Sequence, residues 1–154
     1  MHEVELGVVI GQEGKFISEE KAMDHVLGYV LALDMTGVAP VPNQYQYKWL
    51  LTKGFDTATP ISDFIPKSAL ADENNASLKL KVNGQLIQDG NTRDLLFKIP
   101  RLIEYISQYF TLEYGDLILT GTPLNNLRVK SDDTIDAYLN DTMAHLSYRV
   151  TKRS

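Results

Sequence analysis

Hydrophobic and polar positions alternate most clearly in the middle of the chain. From Leu78 to Val82 leucine or valine alternates strictly with lysine, Asn83 and Gly84 follow, and residues 85–88 form a second extended segment. Strict alternation is typical of a half-buried strand, and Asn-Gly is the strongest two-residue signal for a hairpin turn. We therefore predict a β-hairpin over residues 78–88.

Further strands are predicted toward both ends of the chain. The run Glu3–Ile10 has the composition of a strand, and Tyr29–Met35 reads as a buried strand that carries a single charge, Asp34, near its end. Three more apolar or alternating runs are predicted as strands: Leu117–Thr120, Thr134–Leu139 and Met143–Val150. The chain is thus predicted to be rich in strands.

Two helices are predicted between these strands. Ser18 is a suitable N-cap, acidic residues follow it, and Gly28 would end a short helix there. The segment Pro100–Phe110 has apolar residues at helical spacing, with the proline suited to the first turn.

The two longest predicted connections are polar or proline-containing. Residues 37–48 contain two prolines and no helical or strand period, which predicts a loop, and residues 66–75 read as a polar connection with one helical turn. The expected fold class is α+β, strand-rich with few helices, in one domain spanning residues 1–154.

Composition limits the possible functions. The 15 basic and 20 acidic residues include no basic run long enough to follow a phosphate backbone, so no nucleic acid partner is expected. The absence of cysteine leaves only oxygen and imidazole ligands for a metal. The longest apolar stretches, such as Val26–Met35, are too short for a bilayer, and the opening residues do not form a targeting peptide.

Glu3, Glu5 and Asp34 are the candidate site residues. The two glutamates lie two positions apart on a predicted strand, so their carboxylates can converge, although a solvated strand face is the commoner explanation of such a pair. A carboxylate at the end of an apolar strand needs a cation or hydrogen-bond partners, and the alternative for Asp34 is a strand-end cap. Three converging carboxylates would suit Mg²⁺, Mn²⁺ or Ca²⁺.

Five blocks of sequence resemble one protein family in content and order. They are His2–Leu6, Leu33–Thr36, Trp49 with Lys53–Asp56, Val82–Gly84, and Gly115–Pro123. They are similar to the fumarylacetoacetate hydrolase family, and most similar to its branch of small mitochondrial acylpyruvases and oxaloacetate decarboxylase-tautomerases. The resemblance spans nearly the whole chain.

The resemblance implies a mixed β-roll and an enzyme that acts on small 2-oxo acids, by hydrolysis of acylpyruvates or by tautomerisation or decarboxylation of oxaloacetate. It implies metal roles for Glu3, Glu5 and Asp34, with Mg²⁺ as the cofactor and Mn²⁺ as a substitute. It also implies a catalytic and substrate-binding role for Lys53 and a substrate-binding role for Thr122. A homodimer and a mitochondrial or cytosolic location are further implications of the family.

The chain departs from the family pattern in three places. Family members carry a His–Glu pair on a lid before the position where this chain begins, so we expect the lid segment to be absent, and none of His2, His25 and His145 is assigned to catalysis. The family's Arg-Asp-x-Gln after the aspartate is missing, with Gln44 or Gln46 as candidate substitutes. The glycine-rich turn after Gly-Thr-Pro is replaced by residues 124–127.

These departures support a rival hypothesis: a truncated or degenerate member that binds metal and oxalate-like anions without efficient catalysis. Metal binding by the three carboxylates is common to both hypotheses. Turnover of a 2-oxo acid separates them.

Overall fold

The computed structural model describes residues 1–37, 48–122 and 128–151. These ranges contain eight strands: β1 (Val4–Ile10), β2 (Val26–Leu33), β3 (Ile65–Pro66), β4 (Ser77–Val82), β5 (Gln85–Asn91), β6 (Leu117–Leu119), β7 (Thr134–Leu139) and β8 (Ala144–Arg149). The α-helices are α1 (Lys48–Lys53) and α2 (Ile99–Ser107), and 3₁₀ helices cover Glu19–His25, Lys67–Ala69 and Thr92–Asp94. The predicted strand-rich α+β class with few helices is confirmed.

The strands form two four-stranded sheets. One has the order β3-β2-β1-β6 and the other the order β5-β4-β7-β8. Each pairing between these strands is antiparallel. Because β1 pairs with both β2 and β6, the first sheet joins the beginning of the chain to a strand more than a hundred residues later.

A shared hydrophobic core connects the two sheets. Leu6 and Leu31 of the first sheet and Leu78, Ile135 and Leu139 of the second are fully buried members of it. Complete burial of one such side chain contributes about 1.5–3 kcal/mol to folding. β1 and β2 are therefore central, almost continuously apolar strands, and a charged residue on them needs a specific partner.

The predicted hairpin is confirmed as β4 and β5. Asn83 and Gly84 have φ angles of 51° and 81°, the two positive values that a tight I′ turn requires. The pairing places Gln88 opposite Leu80, on the buried side of the hairpin. A polar side chain thus enters the core from β5.

The prediction of a helix from Ser18 to Gly28 is wrong in type and extent. The segment is a 3₁₀ helix that ends at His25, and the Ser18 side chain makes no capping hydrogen bond to it. Gly28 lies inside β2, where an added Cβ would be 2.3 Å from the carbonyl oxygen of Ile65. The glycine therefore allows close approach of β3 and does not end a helix.

Other boundaries also differ from the predictions. The strand predicted to begin at Tyr29 begins at Val26 and ends before Asp34, and the helix predicted to reach Phe110 ends at Ser107. Of the predicted loop at 37–48, residues 38–47 lie outside the described residues, and Lys48 already belongs to α1. Within the described ranges, every helix falls short of the length and apolar character needed to cross a membrane.

Candidate metal centre

Glu3, Glu5 and Asp34 meet where β1 begins and its neighbour β2 ends. One carboxylate oxygen from each lies within 4.8 Å of the others. The β1–β2 ladder explains this convergence, because the backbone N–H of Asp34 donates a 2.9 Å hydrogen bond to the carbonyl oxygen of Glu3. Asp34 is therefore directly opposite Glu3, and Glu5 is two positions further along the same face.

The three carboxylates differ in exposure. Glu5 is buried, with 4% of its surface exposed, whereas the side chains of Glu3 and Asp34 are 17% and 23% exposed. Burial raises the pKa of Glu5 to about 7, and the charges of Asp34 and Glu3 add to the increase. A divalent cation beside the three carboxylates would favour the ionised form of Glu5 and so lower its pKa. A set of oxygen ligands with no thiolate or imidazole suits a hard cation.

Lys53 lies against two of the three carboxylates. Lys53 is the last residue of α1. Its Nζ contacts Oε2 of Glu3 and lies 2.7 Å from Oδ2 of Asp34. Burial lowers the pKa of the lysine, but hydrogen bonds and charge from Asp34 and Glu3 outweigh burial, so the pKa is raised overall. Lys53 therefore remains a cation across the neutral pH range.

Glu5 is held from the opposite side by the end of β6. Its Oε2 accepts a 2.6 Å hydrogen bond from the backbone N–H of Gly121, whose φ is 95°. Thr122 is the next residue, and its Oγ1 accepts a 3.0 Å hydrogen bond from Nε2 of Gln88. The turn after β6 thus brings the predicted substrate-binding threonine beside the carboxylate cluster.

The histidines lie outside the carboxylate cluster. His2 is fully buried, burial lowers its pKa, and its Nδ1 is 3.0 Å from Oε1 of Gln88. The ring of His25 bonds to the carbonyl oxygen of Gln12 at 2.9 Å, and His145 contacts Asp136 at 3.2 Å.

The structure brings most of the residues predicted from sequence to one place. Glu3, Glu5, Asp34 and Lys53 are in mutual proximity, and Thr122 is joined to them through its neighbour Gly121. The candidate glutamines at 44 and 46 and the altered turn at 124–127 lie outside the described residues.

Sequence reasoning missed two contributors to the site, the backbone of Gly121 and the side chain of Gln88. Each contacts a residue at least 34 positions away, so local sequence gives little warning. Gln88 lies opposite the buried Leu80 because the register shifts by one residue between Leu80 and Lys81, whereas regular pairing from the Asn83-Gly84 turn would have placed it opposite Lys79. No local signal marks the Gly121 amide either.

Two antiparallel sheets carrying a carboxylate triad beside a lysine define an α+β protein with a candidate oxygen-ligand metal centre. The chain belongs to the fumarylacetoacetate hydrolase family: the family model described as "Fumarylacetoacetate (FAA) hydrolase C-terminal" matches residues 1–151. This confirms the family resemblance of the sequence blocks.

Relatives of known name include two mitochondrial enzymes. The chain is 52% identical over 124 residues to an oxaloacetate decarboxylase of Dictyostelium discoideum, a match that covers 79% of this chain and 57% of the relative. It is 44% identical over 154 residues to an oxaloacetate tautomerase of Rattus norvegicus, covering 98% of this chain and 69% of the relative. The chain therefore spans between one half and about two thirds of the length of these enzymes.

A solved structure gives a further match. The fumarylpyruvate hydrolase of Pseudomonas aeruginosa, in complex with Mn²⁺ and pyruvate, superposes with a TM-score of 0.86 at 31% identity. The match covers 99% of this chain and 66% of that chain. The fold is thus shared with an enzyme that binds a divalent metal and a 2-oxo acid.

Proposed function

We propose that this protein is a divalent-metal-dependent enzyme that acts on small 2-oxo acids, with Mg²⁺ or Mn²⁺ held by Glu3, Glu5 and Asp34. The observation that carries the proposal is the meeting of these three carboxylates within 4.8 Å beside a lysine. The Mn²⁺ and pyruvate of the Pseudomonas relative support this choice of metal and substrate class.

The donor set fits a hard divalent cation. Three carboxylate ligands leave coordination positions for water or for a chelating substrate, as Mg²⁺ sites commonly do. When bound, the cation would supply Lewis-acid stabilisation of the enolate that forms when a 2-oxo acid loses a proton or a carbon substituent.

Lys53 is the proposed catalytic residue of the chain. Its raised pKa keeps it protonated, so it can donate a charge-assisted hydrogen bond to an oxygen on which negative charge develops. Lys53 is the last residue of α1, and its ammonium group donates hydrogen bonds to Glu3 and Asp34. These contacts hold the ammonium group beside the carboxylate cluster.

Thr122 is the proposed substrate-binding residue. The backbone N–H of Gly121 donates a hydrogen bond to the proposed metal ligand Glu5, and Thr122 is the next residue after Gly121. This bond keeps the threonine near the proposed metal site. A hydroxyl beside the proposed metal site can donate a hydrogen bond to the carboxylate of a chelated 2-oxo acid.

Oxaloacetate tautomerisation or decarboxylation is the preferred reaction, and acylpyruvate hydrolysis is the second candidate. The preference rests on the 52% and 44% identity to oxaloacetate enzymes, against 31% for the fumarylpyruvate hydrolase. The mitochondrial names of the first two relatives support a mitochondrial location, and a cytosolic one is the alternative.

Metal titration combined with a turnover assay tests the proposal. Wild-type protein should bind one Mg²⁺ or Mn²⁺ by calorimetry and convert oxaloacetate or acetylpyruvate only with metal. A Glu5→Gln, Asp34→Asn double variant should lose both properties. The matched control is Glu13→Gln, which neutralises an exposed carboxylate elsewhere and should behave as wild type.

The outcomes of this test separate the two hypotheses. Metal-dependent turnover supports the enzyme. Metal and oxalate binding without turnover of either substrate would support the rival, a binding protein descended from the enzyme. Failure of the wild-type protein to bind metal would contradict both.

We also propose that the protein forms a homodimer. Large apolar side chains are exposed around α2, among them Phe97 and Phe110, with 53% and 67% of their surfaces exposed. Sedimentation equilibrium should give twice the 17.3 kDa chain mass, and Phe97→Ser with Phe110→Ser should weaken association. Leu86→Ser, an exposed change on the hairpin, should not. A monomeric wild-type protein would overturn this proposal.

A further inference from the structure

We propose that Gln88 is a positioning residue that fixes the polarity of the Thr122 hydroxyl, so that this hydroxyl donates its hydrogen into the site. This inference deepens the proposed function and rests on it for the role of Thr122. It is carried by a buried chain of hydrogen bonds that runs from β1 through Gln88 to the turn after β6.

The orientation of the Gln88 amide is set by the backbone of β1. The N–H of Val4 lies 3.3 Å from Oε1 of Gln88 and can only donate, so the atom that faces it must be the amide oxygen. The NH₂ group is therefore on the other side, facing Thr122. Gln88 is 1% exposed, so water is not available to stabilise the flipped amide.

His2 strengthens this orientation from the same side. Its Nδ1 lies 3.0 Å from the same Oε1, and an amide oxygen can only accept, so Nδ1 must carry a hydrogen. His2 is fully buried, and its Nε2 has no hydrogen-bond partner among the described residues. The ring is thus tied to the network through Nδ1.

The NH₂ group of the Gln88 amide faces the hydroxyl of Thr122. Nε2 of Gln88 donates to Oγ1 of Thr122 at 3.0 Å, which uses one lone pair of the hydroxyl oxygen. Among the described residues, the Thr122 hydroxyl accepts this hydrogen bond and donates none of its own. That hydrogen is therefore available to an anionic ligand at the carboxylate cluster, where a carboxylate of a 2-oxo acid can accept it.

The first test reverses the polarity of the network. Gln88→Glu keeps the side-chain shape but replaces the donor with an acceptor, which would draw the Thr122 hydrogen away from the site. Oxalate with Mg²⁺ is the probe, and its affinity measured by calorimetry should fall on the order of tenfold. Gln85→Glu, an exposed change on the same strand, adds the same charge and should leave the affinity unchanged.

A double-mutant cycle separates lost donation from added charge. In a Thr122→Val background the hydroxyl is gone, so Gln88→Glu should have little further effect on oxalate affinity. Thr122→Ser should restore the sensitivity to Gln88→Glu. An equal loss of affinity in the Val and wild-type backgrounds would overturn the proposal, because the effect would then be charge alone.

A spectroscopic test needs no variant at residue 88. Nitrogen NMR of the wild-type protein labelled in histidine should show Nδ1 of His2 protonated, assigned by comparison with His2→Gln. An unprotonated Nδ1 would mean that it accepts from the amide, which reverses the whole network and overturns the proposal.

These tests are independent of turnover. If wild-type protein converts no 2-oxo acid but oxalate binding depends on Gln88 and the Thr122 hydroxyl as described, the proposed enzymatic function fails and this inference stands. If turnover is found and the cycle shows no coupling, the inference fails and the function stands.

Discussion

Oε2 of Glu5 accepts a hydrogen bond from the backbone N–H of Gly121 at 2.6 Å, across a separation of 116 residues. The bond fixes a candidate metal ligand on β1 by means of the turn that follows β6. It depends on a backbone φ of 95° at Gly121, a region that residues with a Cβ rarely adopt.

Gly121→Ala should therefore affect both stability and metal binding. We expect a loss of about 1 to 3 kcal/mol in the free energy of unfolding, because alanine is strained at this φ. Displacement of the Gly121 amide should also weaken Mg²⁺ binding, as measured by calorimetry.

Gly84→Ala is the matched control for that variant. Gly84 has a φ of 81°, an added Cβ would meet nothing within 4 Å, and the residue lies in the hairpin turn away from the carboxylates. It should lose comparable stability and keep the metal affinity of wild type. Equal metal affinities in the two alanine variants would contradict the role assigned to the Gly121 amide.

Lys53→Met should separate catalysis from metal binding. Removal of a cationic donor to developing negative charge should lower kcat by about 10²-fold or more. Metal affinity should not fall, because Lys53 contacts the proposed ligands Glu3 and Asp34 and its positive charge opposes a bound cation. Lys21→Met, an exposed change on the 3₁₀ helix, should alter neither quantity.

The stability of the metal-free protein should depend on pH through Glu5. Its pKa is raised from 4.5 to about 7, so the folded protein binds this proton more tightly than the unfolded chain does. The contribution of Glu5 to stability is thus fully present below about pH 4.5 and is lost as the pH rises through about 7.

Urea denaturation in the presence of a chelator measures this dependence. Between about pH 5 and 8, wild-type protein should lose stability relative to Glu5→Gln, which cannot ionise. The difference between wild type and Glu13→Gln should stay constant over the same range. A constant difference for Glu5→Gln as well would show that Glu5 titrates normally.

Leu6→Ala should test the core beneath the site. Leu6 follows Glu5 on β1 and is fully buried, so its truncation should cost about 2–5 kcal/mol in the free energy of unfolding. Leu86→Ala removes the same atoms from a side chain on the hairpin that is 46% exposed and should change stability by about 0.5 kcal/mol. Thermal or urea denaturation of both variants gives the comparison.

The sequence allowed much of the fold to be predicted where the signals are local. The hairpin at Asn83 and Gly84 was placed correctly because turn chemistry and alternation act over a few residues. Gly28 was misassigned as a helix end because its true constraint is the carbonyl oxygen of Ile65, on another strand. A short segment also lacks the length at which a 3₁₀ helix can be distinguished from an α-helix by periodicity.

The candidate site was predictable only in part for the same reason. Glu3, Glu5 and Asp34 were found because strand geometry and family blocks both point to them. The tertiary partners of these residues come from elsewhere in the chain: Lys53 from α1 and Gly121 from the end of β6. Gln88, from the hairpin, contacts Thr122. The family position identified Lys53, whereas a backbone amide leaves no mark in a sequence.

The pairing of β1 with β6 also bears on the kinetics of folding. Strands this far apart in sequence can pair only after a long loop has closed, and contacts of such separation are slow to form. The Gly121 amide reaches Glu5 only once that pairing is complete, so we expect the proposed cation site to form late. A cation that requires this geometry would then act chiefly by slowing unfolding and would leave the refolding rate nearly unchanged.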